Sequence, residues 1–201
     1  MKENSPMVLL TLLSIVQALA LELLWSQVLE SAFLFDMSWT ALLAWIQVAA
    51  NFTGIVVIWI VYASIAMRFR WVPSMSDSVY PFIIGVLEFI LVETLDPEYM
   101  GWWFFCLGLI FGLMTWVNHM KMRRARLDGE NDEFFAQLEP ATVRDFYPAF
   151  ISITGFFMAG SYLAISGDRG IVALIAVAAA LAILLRQMLV AARIWDITVG
   201  D

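Results

Sequence analysis

The sequence predicts an all-α integral membrane protein with six transmembrane helices arranged as three hairpins. The chain has 201 residues, and 62% of them are hydrophobic. Its mean hydropathy is +0.84. A soluble domain is about 45–50% apolar, so this excess indicates a lipid environment. Many of the nine tryptophans flank long apolar runs, as expected of rings at a membrane interface: Trp25, Trp39, Trp71, Trp102, Trp103 and Trp195. The length suits about six spans of ~20 residues and a single membrane domain over 1–201.

Each predicted helix follows from an apolar run and its flanking residues. The first run carries a stripe of small and polar residues from Thr11 to Glu30. The second is long enough to require a tilt. In the third, Ser76 to Ser78 offer an N-cap before Pro81. The predicted spans are about 7–28, 39–67, 79–95, 101–120, 148–166 and 171–195.

The last three runs have their own signals. Gly108 and Gly112 form a G-x-x-x-G pair in the fourth, which allows close helix contact. Gly155 and Ala159 give the fifth a small-residue face, and a tight turn at 167–170 precedes the sixth. The polar stretch 121–147 separates the fourth run from the fifth. Its apolar side chains predict a short amphipathic helix lying on the membrane: Phe134, Phe135 and Leu138.

The positions of Lys and Arg predict the orientation of these spans. Under the six-helix arrangement, Arg169 is the exception, and the others lie at or nearer one side: Lys2, Arg68, Arg70, Lys121, Arg123, Arg124, Arg126, Arg144, Arg186 and Arg193. The positive-inside rule then places both termini in the cytoplasm. We expect the bacterial inner membrane. Acidic residues in the outer connections would concentrate cations there, or they simply remain where Lys and Arg are excluded.

Glu88 is the leading candidate functional residue, because it stands in the middle of the third apolar run. A carboxyl group at that depth must be neutral, paired or hydrated. Glu22 on the first helix, with Asn51 and Gln47 on the second, would extend a polar path from the outer face to Glu88. Oxygen atoms of this kind suit protons or hard cations.

The alternative interpretation of Glu88 is structural. A protonated Glu88 would hydrogen-bond Asn51 or a backbone carbonyl, or an ionised one would pair with Arg186. Arg186 could instead extend its guanidinium to the cytoplasmic interface. His119, beside the basic turn, is either an interfacial histidine or a candidate pH sensor.

No catalytic motif is present in the sequence. It contains no H-E-x-x-H, G-x-S-x-G, P-loop or C-x-x-C pattern. One cysteine and one histidine give no zinc cluster and no bis-histidine haem within one chain. We therefore expect neither an enzyme nor a cofactor. The formal net charge of −7 argues against nucleic acid as a partner.

These observations predict a membrane channel or permease for a proton, a small cation or a small solute. Glu88 would be its central gate or relay. The alternative is a non-catalytic scaffold or accessory subunit of a larger membrane complex, with small-residue faces that pack partners. In either case the bilayer surrounds the chain, and we expect a homo-oligomer or partner membrane subunits.

Overall fold

The computed structural model describes residues 5–69, 75–136 and 139–199, and every regular element in them is helical. Lys2, Arg70 and Leu138 therefore lie outside the described residues. The α-helices of the described chain are α1 (Ser5–Glu30), α2 (Trp39–Arg68), α3 (Met75–Glu93), α4 (Met100–Ala125), α5 (Asp132–Phe135), α6 (Tyr147–Ser166) and α7 (Ile171–Val199). The six long helices coincide with the six predicted runs, and their ends differ by up to five residues.

Five of the long helical stretches have the length and composition needed to cross a membrane. They are Val8–Glu30, Trp39–Arg68, Pro97–Ala125, Val143–Ser166 and Ile171–Arg193. The remaining predicted span, 79–95, is helical as α3, but this 19-residue helix is not among the five. It carries three carboxyl groups, at Asp77, Glu88 and Glu93.

The helices of the last predicted hairpin do not pack mainly on each other. Consecutive helices α1 and α2 pack together, as do α3 and α4. In contrast, α6 packs mainly on α4 and α7 packs mainly on α2, while α6 and α7 share few contacts. The turn at 167–170 therefore joins two helices that diverge across the bundle. Gly167 begins this turn with φ of 63°, a left-handed conformation that glycine adopts without strain.

Glycines explain why α6 prefers α4. A Cβ added to Gly101 would lie 2.7 Å from the Cβ of Ala164, and one added to Gly160 would lie 2.9 Å from the Gly101 carbonyl oxygen. The two backbones therefore come very close. Gly108 also lies in this interface, but a Cβ on Gly112 would meet Ile153 only at 4.0 Å. The predicted G-x-x-x-G pair thus contributes one close contact.

The two ends of the bundle differ in their content of Lys and Arg. At the end called here the basic end, α2 finishes at Arg68 and α4 finishes with Arg123 and Arg124 in its last turn. The opposite end, called the acidic end, contains the connections 31–38, 94–99 and 167–170. The indole of Trp39 ties α2 to the last of these by donating to the Arg169 carbonyl at 2.6 Å.

The amphipathic helix expected in 121–147 is reduced to the single turn α5 at the basic end. Its aromatic side chains turn toward the bundle, because Phe135 is buried and stacks on Phe69 with ring centres 5.5 Å apart. The Arg126 guanidinium lies 4.7 Å from the centre of the Phe135 ring. Packing on the end of α2 thus occupies the apolar surface that we expected to face the membrane.

Candidate functional site

Glu88 is buried at the contact between α3 and α1. Its exposed fraction is 2%, and Gln17 Nε2 donates to its Oε2 atom at 2.8 Å. Gly85, one turn before Glu88, allows this approach, because a Cβ there would collide with the side chain of Val16. One carboxyl oxygen is therefore held by α1. The other, Oε1, is buried and has no hydrogen-bond partner among the described residues.

Gln17 was not predicted as the partner of Glu88, because the polar stripe used for the prediction lies on another face of α1. The small and polar stripe from Thr11 to Glu30 was expected to line the path. Most of it, including Glu22, faces outward. The buried face contains Leu13, Gln17, Ala20 and Leu24. These residues are three or four positions apart, which is the spacing of one face of a helix. A glutamine on a buried face predicts a buried hydrogen-bond partner for its side chain.

Asn51 is held by the indole of a tryptophan that the sequence assigned to the membrane interface. Trp103 Nε1 donates to Asn51 Oδ1 at 2.9 Å, and Trp103 is fully buried. The assignment of Trp103 to the interfacial belt was therefore wrong. A buried indole N–H requires an acceptor, and Asn51 supplies one across the α2–α4 contact.

Glu88 and Asn51 line the same cavity, which has a volume of about 130 Å³. Helices α2, α3, α4 and α7 form most of its wall, and Ala149 of α6 contributes at its edge. Most lining residues are apolar. The polar ones are Asn51, Glu88, Thr115, Asn118 and Gln187. At about 30 Å³ per molecule of liquid water, the volume would admit a few water molecules.

The cavity extends from Glu88 toward the basic end. Along α4 its lining runs from Leu107 to Asn118, a rise of ~17 Å at 1.5 Å per residue. Asn118 Oδ1 and Asn51 Nδ2 are buried without a hydrogen-bond partner in the described chain. Groups that can bind a polar species therefore occur along the length of an otherwise apolar cavity.

Other predicted site residues do not join this cavity. Glu22 is exposed on α1, so the acidic path toward Glu88 is not formed. Gln47 is fully buried but outside the cavity lining, with no hydrogen-bond partner for either amide atom within the described ranges. Arg186 is exposed and does not pair with Glu88. His119 is half-buried and packs edge-on against Phe146, with ring centres 5.0 Å apart.

A second buried cluster lies just beyond the cavity at the basic end. Arg124 Nη1 lies 2.9 Å from Oδ2 of Asp77, and Lys121 Nζ lies 3.3 Å from the centre of the Tyr62 ring. Tyr62 follows Val61, which lines the cavity. Asp77 was predicted as part of a helix cap, and this cluster was not predicted. Lys121 and Arg124 are three residues apart on α4, so they are neighbours on the helix surface. This spacing was the sequence feature that could have indicated the cluster.

We compared the chain with protein-family models, curated proteins and solved structures, and none of the three comparisons gave a match.

Proposed function

We propose that this chain is a non-catalytic membrane permease or channel for a proton, a small cation or a small solute, with Glu88 at its centre. In this proposal α3 is a sixth transmembrane helix beside the five apolar ones. Both termini then lie in the cytoplasm of a bacterial cell, with the basic end facing inward. The grouping of Arg68, Arg123 and Arg124 at one end supports that orientation.

The observation that carries the proposal is the environment of Glu88. Its carboxyl group is buried, one oxygen is bound by Gln17, the other has no partner in the described chain, and the residue lines a cavity. A purely structural carboxyl group would use both oxygens, because an unsatisfied buried oxygen costs about 1–3 kcal/mol. A group that exchanges protons or binds a cation needs one oxygen available to its ligand.

The size of the cavity favours the smallest of these ligands. A volume of about 130 Å³ is well below the 300–1,000 Å³ of sites for drug-sized ligands. It suits a proton passed along a few waters, or one cation with few ligands. Asn118 would supply a further oxygen atom along the same cavity.

Flux through the purified protein in liposomes tests the proposal. We would measure proton and monovalent cation flux for the wild type and for Glu88→Gln. Glutamine keeps the shape and still accepts a hydrogen bond from Gln17, but it cannot exchange a proton. We expect at least a tenfold loss of flux. Glu93→Gln, at the exposed end of α3, is the matched control and should retain wild-type flux. Equal flux in wild type and Glu88→Gln would remove Glu88 from the mechanism.

The second candidate is a scaffold or accessory subunit of a larger membrane complex. The exposed surface of α6 favours it, since a Cβ on Gly155 would meet nothing within 4 Å, which leaves a small-residue face open to another helix. Purification in mild detergent discriminates between the two. A stable complex with a different membrane protein, together with no flux above empty liposomes, would favour the scaffold.

A further inference from the structure

Two charged side chains face outward from long apolar helices. Glu22 lies eight residues before the end of α1, ~12 Å from it, and Arg186 lies fifteen residues after the start of α7, ~22 Å from it. Both are exposed, and neither has a hydrogen bond or ion pair within the described chain. In the membrane placement proposed above, on which this inference rests, both charges would face lipid at considerable cost.

Each charge lies on the outward side of its own helix. Leu13 and Leu24 are buried on α1, and a helical projection places Glu22 on the opposite side of that helix. On α7 the buried residues Val177 and Leu184 likewise lie opposite Arg186. Each charge therefore points away from the bundle. They are not paired with each other in the described chain, and surfaces of opposite charge can meet between two copies.

Contacts with α2 give the depth of each charge. Two contacts fix α7 against α2: Trp39 with Arg169, and Gly54 with Leu184. Helices α2 and α7 run in the same direction, and both contacts join residues separated by the same number of positions in the sequence. At that separation Asn51 is level with Leu181. Two observations fix the antiparallel α1: Trp59 donates to Ser14, and Val28 and Ala44 belong to the same small buried cluster. They place Glu22 level with Asn51, and so with Leu181.

Arg186 therefore lies five residues, or ~7.5 Å, closer to the basic end than Glu22. Side-chain direction reduces this difference, because Cβ atoms lean toward the N-terminus of their helix. The N-terminus of α1 is at the basic end and that of α7 is at the acidic end. Glu22 and Arg186 thus lean toward each other's level, and the long arginine side chain can cover the remainder.

We propose that Glu22 of one copy pairs with Arg186 of the next copy, so that the protein assembles head to tail through α1 and α7. A rotation axis along the membrane normal keeps both residues at their depths and closes such contacts into a ring. Ala18 and Ala182, each one turn before the charge and exposed, allow the two helices to approach closely.

Cross-linking in native membranes tests this contact with both charges retained. Ala18→Cys and Ala182→Cys are placed separately in full-length chains that also carry Cys106→Ala. With a short bifunctional thiol reagent, co-expressed Ala18→Cys and Ala182→Cys chains should give a covalent dimer, and either chain alone should not. Pairing Ala18→Cys with Leu109→Cys, exposed on α4, is the control. Absence of the mixed dimer, or dimers of Ala18→Cys alone, would overturn the proposal.

Charge reversal adds a test that a folding defect cannot mimic. In the same assay, Glu22→Arg alone and Arg186→Glu alone should each lower the cross-linked fraction at least tenfold. The double variant restores opposite charges and should recover most of it. If the double variant cross-links no better than the single variants, the proposed pair is wrong. This readout does not depend on transport, so its failure is distinct from a loss of flux.

Discussion

At the scale of single residues, the interior of this protein is defined by hydrogen bonds between distant helices. Gln17 and Glu88 are 71 positions apart, and Asn51 and Trp103 are 52 apart. In an apolar surrounding each of these groups depends on one partner, because water cannot replace it without a cost. Single substitutions in these pairs should therefore have effects far larger than those of their exposed neighbours.

Substitution of Trp103 shows this dependence most directly. Trp103→Phe removes the donor to Asn51 Oδ1 and leaves that oxygen buried and unpaired, so the free energy of unfolding should fall by about 1–3 kcal/mol. Unfolding in mixed detergent micelles measures the change. Trp102→Phe is a matched control one residue away, because Trp102 is 62% exposed. It should change stability by less than ~0.5 kcal/mol. Equal losses in the two variants would contradict the role given to the Asn51 contact.

At this scale, the sequence indicates which residues are unusual, but it does not indicate which residues they contact. Glu88 and Asn51 stood out because polar groups are rare in such runs, and both line the cavity. The pairing of Glu88 with Arg186 or Asn51 was wrong, because composition gives no rotation of one helix against another. Lys121 was predicted only as one of the basic residues on the cytoplasmic side. Its position over the Tyr62 ring depends on where α2 ends relative to α4.

At the scale of helices, close packing determines which neighbours each helix chooses. The α4–α6 contact depends on Gly101 and Gly160, where backbones approach too closely for side chains. Helix positions were predictable from hydropathy, since apolar runs and their flanking residues are local features. Helix partners were not, because a glycine in the sequence does not reveal which helix lies over it.

Two glycines in α6 offer a direct comparison. Gly160→Ala places a Cβ 2.9 Å from the Gly101 carbonyl and 3.2 Å from the Phe104 Cβ, so the helices must separate, and stability should fall by about 1–3 kcal/mol. Gly155→Ala meets no atom within 4 Å, and it should raise helix stability by up to ~1 kcal/mol. Thermal unfolding in detergent compares them. A loss of similar size at Gly155 would mean that this face is covered in the protein.

At the scale of the whole molecule, the number of membrane crossings decides how the cavity is oriented. If α3 crosses with the other five long helices, the connection containing Glu98 and the stretch containing Glu130 lie on opposite sides. We expect the Glu98 side to be outside. The reverse orientation, with the basic end outside, would exchange both assignments.

Labelling of intact cells with a membrane-impermeant thiol reagent distinguishes these arrangements. In a Cys106→Ala background, Glu98→Cys should be labelled in intact cells, and Glu130→Cys should be labelled only after permeabilisation. Both positions are in connections at the ends of α4, so neither substitution disturbs the bundle interior. Labelling of Glu130→Cys in intact cells would contradict the proposed orientation. Labelling of Glu98→Cys only after permeabilisation would exclude a crossing by α3 with the basic end inside.

The divergence of α6 and α7 has a consequence for biogenesis. The ribosome completes α7 last of the long helices, yet Leu184 and Gln187 of α7 form part of the cavity wall. Until α7 reaches α2, the nascent protein has the Glu88 region open toward lipid on one flank. The cavity is thus enclosed only after α7 has been synthesised, when α6 and α7 dock on different helices, α4 and α2.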